Sequence, residues 1–355
     1  MNFSTGAGAL PPMSVGVINY NGAGCVLDTL ESIFNSGYPS LDVVVVDDCS
    51  TDNSPDMIKN RFPQARVFIQ ERNQGPNAAR NRALREAKNE IVFITDNDIT
   101  LEKNCLQLLA QSLLADDNAG VATPMVLDAV ERDRIYSNGA ALHFACFGVI
   151  PLRRQKIPAG LDMANRLSVC GSGGIMLTKK TVAEAVGMFD EDFYFGYDDG
   201  EYTYRVSASG RDVIQVPSAR IYHIEKPGRN PKRLRYQVRG RLDFMLKNYA
   251  SRSFVLLAPA LFIFEAANFT FLAAKGAGME WARGVGMILK SFGGIMEKRR
   301  ATLSIKKRPD KELLTSGEIF MFPSRLGGGI LPKAKKLFEG FLDAYWRVVS
   351  PFLTK

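Results

Sequence analysis

The first hundred residues alternate between short apolar runs and stretches in which apolar residues recur at helical spacing. Short apolar runs bounded by polar segments predict buried strands. Continuously apolar strands separated by helices predict a parallel sheet that helices cover on both faces. The strands are predicted at residues 14–18, 43–46, 67–69 and 91–94, and the helices at 26–34, 76–87 and 101–114.

The residues that follow are less regular. Further strands are predicted at residues 121–124, 213–217 and 219–223, whereas Gly139, Gly148 and Pro151 interrupt residues 128–156. The glycines in residues 171–174 indicate either a close approach of the backbone to a ligand or a plain β-bulge. The predicted fold is α/β, with a Rossmann-like, mostly parallel sheet in a domain at residues 1–250.

Residues 251–355 form a C-terminal helical region in which apolar stretches have basic neighbours. Residues 253–274 are long enough to cross a bilayer. Their eleven Leu, Ile, Val and Phe residues favour insertion by ~0.3 to 0.6 kcal/mol each, whereas Glu265 opposes it by ~3 kcal/mol. We therefore predict an amphipathic or partly buried helix at a membrane face, with a true span as the alternative.

Composition and charge narrow the classes of partner. The chain has 355 residues, 46% of them hydrophobic, and a net charge of +8, which permits phosphate groups, nucleic acid or an anionic membrane. The basic segment at residues 226–252 lacks a recognisable nucleic-acid module, so no nucleic acid is expected. This segment could lie near anionic lipid or be a solvated helix face. Five scattered cysteines without a CxxC pair, and an N-terminus without a secretory pattern, predict a reducing cytoplasm.

Polar side chains follow the predicted strands where these leave the sheet, the edge at which open α/β sheets bind ligands. Asp96 and Asp98 are two residues apart, so in extended chain they could face one side and share Mg²⁺ or Mn²⁺. A turn that is stabilised by its own Asp and Asn side chains is the alternative. Arg80 could bind an anionic ligand or be a helix-surface residue. Asp47 could accept hydrogen bonds from a ligand or cap the helix that begins near Ser54.

Gly22-Ala23-Gly24 partly imitates a dinucleotide-binding motif, because it follows a strand and Asp47 ends the next strand. The third glycine position is Leu27, however, and residues 19–21 delay the glycines beyond the tight turn that the motif requires. NAD binding is therefore an alternative only.

A second acidic cluster, Asp198, Asp199 and Glu201, follows an aromatic run at the start of a predicted helix. Clustered acids are costly without a partner or a function. They could take part in proton transfer, or Asp198 and Asp199 could cap the helix while Glu201 pairs with Arg205.

The chain has two histidines. His223 closes the strand at residues 219–223 and could be structural or a metal ligand. His143 has no motif around it, so we predict a packing or surface role.

Four polar segments in this order, each after a strand, resemble the nucleotide-binding half of family 2 glycosyltransferases. The segments are residues 19–21, 47–52, 73–81 and 96–98. The resemblance implies a GT-A fold, with a nucleotide-binding half at residues 13–115 and an acceptor and catalytic half at 116–250. The implied contacts to the nucleotide sugar are Asn19, Asp47, Asp48, Arg80 and Asp96.

The acidic cluster at residues 198–201 resembles the acidic motif of the same family. The second of the two adjacent acids is the catalytic base in that motif, which corresponds to Asp199. Gly173 and Asp198 correspond to the border of the acceptor pocket. The implied metal ligands are Asp96, Asp98 and His223.

The reaction that the resemblance implies is an inverting hexosyl transfer assisted by Mg²⁺ or Mn²⁺. The donor would be a UDP- or dTDP-linked sugar, for which rhamnosyl, galactosyl and glucosyl groups all suit, and the acceptor a glycan or lipid-linked hydroxyl. The expected location is cytoplasmic, at the inner face of the cell membrane. The alternatives are a nucleotide-sugar-binding protein without turnover and an NAD-binding Rossmann oxidoreductase.

Overall fold

The computed structural model describes residues 10–171, 174–224, 233–319 and 330–353. The chain forms two compact units. The first comprises Met1–Gly139, Pro151–Val206 and Arg211–Gly228, and the second comprises Ala140–Ile150, Ser207–Gly210 and Arg229–Lys355.

The described strands are β1 Met13–Asn19, β2 Leu41–Asp47, β3 Arg66–Ile69, β4 Ile91–Asp96, β5 Ile99–Leu101, β6 Ala119–Asp128, β7 Ile135–Ser137, β8 Ala141–His143, β9 Phe147–Val149, β10 Arg166–Ser168, β11 Met176–Lys179, β12 Asp212–His223 and β13 Leu314–Thr315. The described helices are α1 Val26–Phe34, α2 Ser54–Arg61, α3 Pro76–Glu86, α4 Cys105–Leu114, α5 Lys180–Ala185, α6 Asp198–Ala208, α7 Arg233–Asn248, α8 Ser251–Ala274, α9 Gly278–Ile305, α10 Asp310–Leu313 and the C-terminal helix Ile330–Val349.

A large sheet forms the core of the first unit. Its described strands lie in the order β10, β12, β6, β11, β4, β1, β2, β3, with β5 beside β12 and β7 beside β6. Strands β4, β1, β2 and β3 are parallel neighbours, whereas β11 is antiparallel to β4 and β6. Val15, Val45 and Phe93 are fully buried, as continuously apolar strands between helix layers require. The predicted α/β fold with a C-terminal helical region is confirmed.

Two predicted boundaries are wrong. The helix predicted from residue 101 begins at Cys105, because Ile99–Leu101 forms β5 and pairs with the end of β12, which buries Ile99. The strands predicted at 213–217 and 219–223 are one strand, β12. Its register with β6 shifts between Val216 and Arg220, where Pro217 cannot donate a ladder hydrogen bond.

Long helices dominate the second unit, beside a small sheet with the strand order β13, β8, β9. Arg235 of α7 donates to Glu280 of α9 at 2.7 Å, and the ring of Phe264 in α8 lies 5.9 Å from that of Phe338 in the C-terminal helix. Within the described residues, α8 is the one helix that is long and apolar enough to cross a membrane, by length and composition alone.

Candidate active site

The ends of β1, β2 and β4 are joined by buried side chains in the first unit. The register of β1 with β2 sets Asn19 beside Asp47, and the Asn19 amide donates to the Asp47 carboxylate at 2.6 Å. The side-chain amide of Asn97 donates to the side-chain oxygen Oδ1 of Asn19 at 2.7 Å. Asn97 was not among the predicted site residues, although its position between two acids at this edge was a usable signal.

Gly22 lies against the side chains of Asn19 and Asn97. A Cβ at Gly22 would collide with the side chains of Asn19 and Asn97. The close packing of these two asparagines therefore requires a glycine after β1. This packing explains the presence of Gly22 without a bound dinucleotide pyrophosphate.

Asp47 and Asp48 are fixed by internal hydrogen bonds. Asp47 accepts from the backbone N–H of Ser50 at 2.8 Å, and Asp48 accepts from those of Gln74 and Gly75 at 2.8 and 2.9 Å. Both carboxylates are buried, and burial raises the pKa of Asp48 although these hydrogen bonds oppose the rise. They hold the loops after β2 and β3 in place, and their contact with a nucleotide stays a prediction.

Arg80 is the centre of the site. Its side chain is only 3% exposed, which excludes the helix-surface alternative. Its guanidinium forms ion pairs with Asp198 and, at 3.3 Å, with Asp96, and it lies 5.7 Å from the centroid of the Phe189 ring. Arg80 therefore brings together the end of β4 and the start of α6.

The two carboxylates near Arg80 have raised pKa values. Desolvation raises the pKa of Asp96 to about 7, with Asp98 and Asp198 acting in the same direction and Arg80 opposing them. Desolvation, and next the charge of Asp198, raise the pKa of Asp199. Clustered acids with raised pKa values at a sheet edge are typical of functional sites.

Asp199 is held by two backbone amides at the start of α6. It accepts from the N–H of Gly174 at 2.9 Å and from that of Gly200 at 2.7 Å. Gly174 has φ +69°, and a Cβ there would collide with the Arg80 guanidinium and lie 3.1 Å from an Asp96 oxygen. Gly174 is a site residue that the prediction missed, although the glycine run contained it. Gly173 lies outside the described residues.

Glu201 is separate from the other two acids of its cluster. It is buried and pairs with Arg205 at 2.8 Å, and Arg205 also donates to the Met188 carbonyl at 2.6 Å. The predicted Glu201–Arg205 pair is confirmed, and it anchors α6 against the segment before it.

His223 and Asp98 come together through the pairing of β12 with β5. His223 pairs with Ile99, the residue after Asp98, and its Nε2 lies 3.5 Å from the Asp98 carboxylate. The parts of the chain that the structure describes contain no group of three His, Cys, Asp or Glu side chains arranged to hold a metal. One carboxylate and one imidazole fit Mg²⁺ or Mn²⁺ only if water and substrate phosphates complete the coordination.

His143 belongs to the second unit and packs in its interior. It is fully buried, it stacks on Phe144 at 4.5 Å between ring centroids, and its Nδ1 accepts from the N–H of Ala145 at 3.0 Å. The predicted packing role is confirmed.

The glycosyl transferase family 2 model matches residues 14–187, which include the strand-end cluster, Arg80, Asp96 and Asp98. These residues form a family 2 domain. The match agrees with the family resemblance that the strand-end motifs implied.

The family 2 domain has curated relatives among polysaccharide-synthesis proteins. The succinoglycan biosynthesis protein ExoO of Rhizobium meliloti (strain 1021) is 26% identical over 223 residues. The alignment covers 61% of this chain and 62% of ExoO, so the chain spans less than two thirds of that relative.

Two solved structures share the fold of the chain. A structure of GalNAc-T7 with UDP, GalNAc and Mn²⁺ has a TM-score of 0.55 at 17% identity, covering 71% of this chain and 51% of that one. The mannosyltransferase PcManGT from Pyrobaculum calidifontis, in complex with GDP-Man and Mn²⁺, has a TM-score of 0.51 at 21% identity, covering 83% and 86%. At these identities the likeness establishes the GT-A fold and leaves the substrate open.

Proposed function

We propose that this protein is an inverting glycosyltransferase that moves a sugar from a nucleoside diphosphate to a hydroxyl of a glycan or lipid-linked acceptor. The observation that carries the proposal is the convergence of Asp96 and Asp198 on the buried Arg80, with Asp199 beside them. Two carboxylates on one buried arginine, with a third beside them, gather at the edge where open α/β sheets bind ligands.

Asp199 acts as the general base in the proposed reaction. It takes the proton of the acceptor hydroxyl while the acceptor oxygen bonds to the anomeric carbon, and the bond from that carbon to the diphosphate oxygen breaks. A single displacement of this kind inverts the anomeric centre. The raised pKa of Asp199 makes it a stronger base than an ordinary carboxylate, and the Gly174 and Gly200 amides fix its orientation.

Asp98 and His223 would hold the divalent cation, which, when bound, neutralises charge on the donor diphosphate. The nucleoside diphosphate leaves as an anion, so no side chain has to protonate it, in contrast to the two-carboxylate glycosidases. Arg80 keeps Asp198 and Asp96 in place and contributes positive charge close to the donor.

A UDP- or dTDP-linked hexose is the proposed donor, and the proposed location is the cytoplasm at the inner face of the cell membrane. All five cysteines are free thiols, as expected in a reducing compartment. The name of the relative ExoO, a succinoglycan biosynthesis protein, supports a glycan acceptor.

The test is calorimetric titration of the full chain with UDP, dTDP, GDP and NAD, each with and without Mn²⁺. We expect Mn²⁺-dependent binding of a pyrimidine nucleoside diphosphate, and loss of that binding in Asp98→Ala. The matched control Asp117→Ala changes an exposed aspartate in a loop and should bind as the wild type does.

Three outcomes would contradict the proposal. If none of the nucleotides binds, the proposed donor site is wrong. Binding of NAD without metal favours the oxidoreductase. Donor binding without transfer to any acceptor in a membrane extract favours a nucleotide-sugar-binding protein.

A further inference from the structure

Helix α8 presents two opposite faces. One face packs into the second unit through Ser253, Leu257, Ala260 and Phe264, which recur at the spacing of one helix side. The opposite side exposes Val255, Phe262 and Phe269, and Ile263 lies at its flank; these four residues are called here the apolar face of α8. These side chains are 71%, 76%, 44% and 41% exposed.

The apolar face carries no charge along its length. Glu265 is the one charged residue between Arg252 and Lys275 in the sequence. The Glu265 side chain is only 22% exposed, pairs with Arg241 and accepts from the indole N–H of Trp281 at 3.3 Å. A continuous exposed apolar surface of this kind marks an interaction site in a folded protein.

Basic residues border this surface. Arg252 and Lys275 are exposed at the two ends of α8.

We propose that the apolar face of α8 docks on an anionic lipid bilayer. The helix would lie in the plane of the interface, with Phe262 and Phe269 among the acyl chains and Arg252 and Lys275 at the headgroups. The surface belongs to the second unit, so this inference does not rest on the proposed chemistry.

The contacts of α8 favour an interfacial position over a membrane span. A span would have to remove Leu257 and Phe264 from their packing and separate Glu265 from Arg241, leaving both charges uncompensated. A second copy of the chain is a poorer partner than lipid, because a symmetric contact would bring like basic residues together, whereas anionic headgroups neutralise them.

The test is flotation of the full chain with vesicles of phosphatidylcholine alone and of phosphatidylcholine mixed with phosphatidylglycerol. We expect binding to the mixed vesicles that high salt weakens. Ile263→Ser should weaken vesicle binding about tenfold, because it removes an apolar side chain that would be buried in the bilayer. Lys275→Gln should weaken vesicle binding about fivefold, because it removes a positive charge at the headgroups.

Matched controls come from the first unit. Ile69→Ser changes an isoleucine that is 54% exposed, and Lys59→Gln changes an exposed lysine of α2. Both should float as the wild type does, and all variants should unfold as cooperatively as the wild type.

Several outcomes would overturn the proposal. These are absence of binding to either vesicle, equal binding to both, and equal effects of Ile263→Ser and Ile69→Ser. Resistance to alkaline carbonate extraction would replace docking with a span. A dimer in light scattering that Phe262→Ser dissociates would assign the face to a second copy.

Discussion

Two charged sites, one in each unit of the chain, use charge in different ways. In the first unit, Asp96 and Asp198 share the single Arg80 at the edge of the sheet, with Asp199 next to them. In the second unit, Lys306 and Asp310 form an ion pair whose side chains are 7% and 0% exposed, while Phe262 faces outward. We therefore interpret the carboxylate cluster around Arg80 as a functional site and the buried Lys306–Asp310 pair as structural.

The largest effect is expected at the charge cluster of the first unit. Asp199→Asn keeps the shape of the side chain and removes the proposed base, so transfer should fall by about 10²- to 10⁴-fold, while donor binding stays close to that of the wild type. Rate measurements at saturating donor report the transfer step, and calorimetry reports donor binding. Unchanged turnover would place the base elsewhere.

The buried pair of the second unit should affect stability instead of chemistry. Asp310→Ala leaves the Lys306 ammonium buried without its carboxylate, which should lower the free energy of unfolding by about 3 to 5 kcal/mol in denaturant titrations. The control is Asp133→Ala, which removes a carboxylate that pairs with Lys156 on the surface, and it should have little effect. Equal losses would contradict the comparison.

His143 should make the second unit sensitive to acid. Burial lowers its pKa from 6.5 to about 4, and the charge of Asp343 opposes this. Between those pH values the unfolded chain binds a proton that the folded chain does not, so stability should fall by about 3 kcal/mol as pH falls from 6.5 to 4. Urea titrations across this pH range should show that the free energy of unfolding depends less on pH in His143→Gln than in the wild type. An equal pH dependence in both proteins would contradict this account.

The smallest effect is expected on the apolar face of α8. Phe262→Ala removes a side chain that is 76% exposed and should change stability in solution by no more than about 0.5 kcal/mol. Phe264→Ala, two residues along and only 7% exposed, should cost about 3 to 5 kcal/mol. Thermal melts of both variants test the assignment of the two faces, and equal losses would contradict it.

Local patterns determined much of the fold and part of the site. The helix predicted at residues 26–34 is α1, and the apolar runs are the parallel strands β1, β2, β3 and β4. The Glu201–Arg205 pair was predictable because residues four apart share a helix face. The acids at residues 96, 98, 198 and 199 were found because strand ends and helix starts are readable from periodicity.

Only the tertiary structure decided which of these residues meet. Arg80 and Asp198 are 118 positions apart and come together through the packing of α3 and α6, and His223 reaches Asp98 because residues 99–101 form a strand. Gly174 and Asn97 became site residues for the same reason. Periodicity depends on the backbone geometry of neighbouring residues, whereas such pairings depend on strand order and register, which form only when distant segments are packed together.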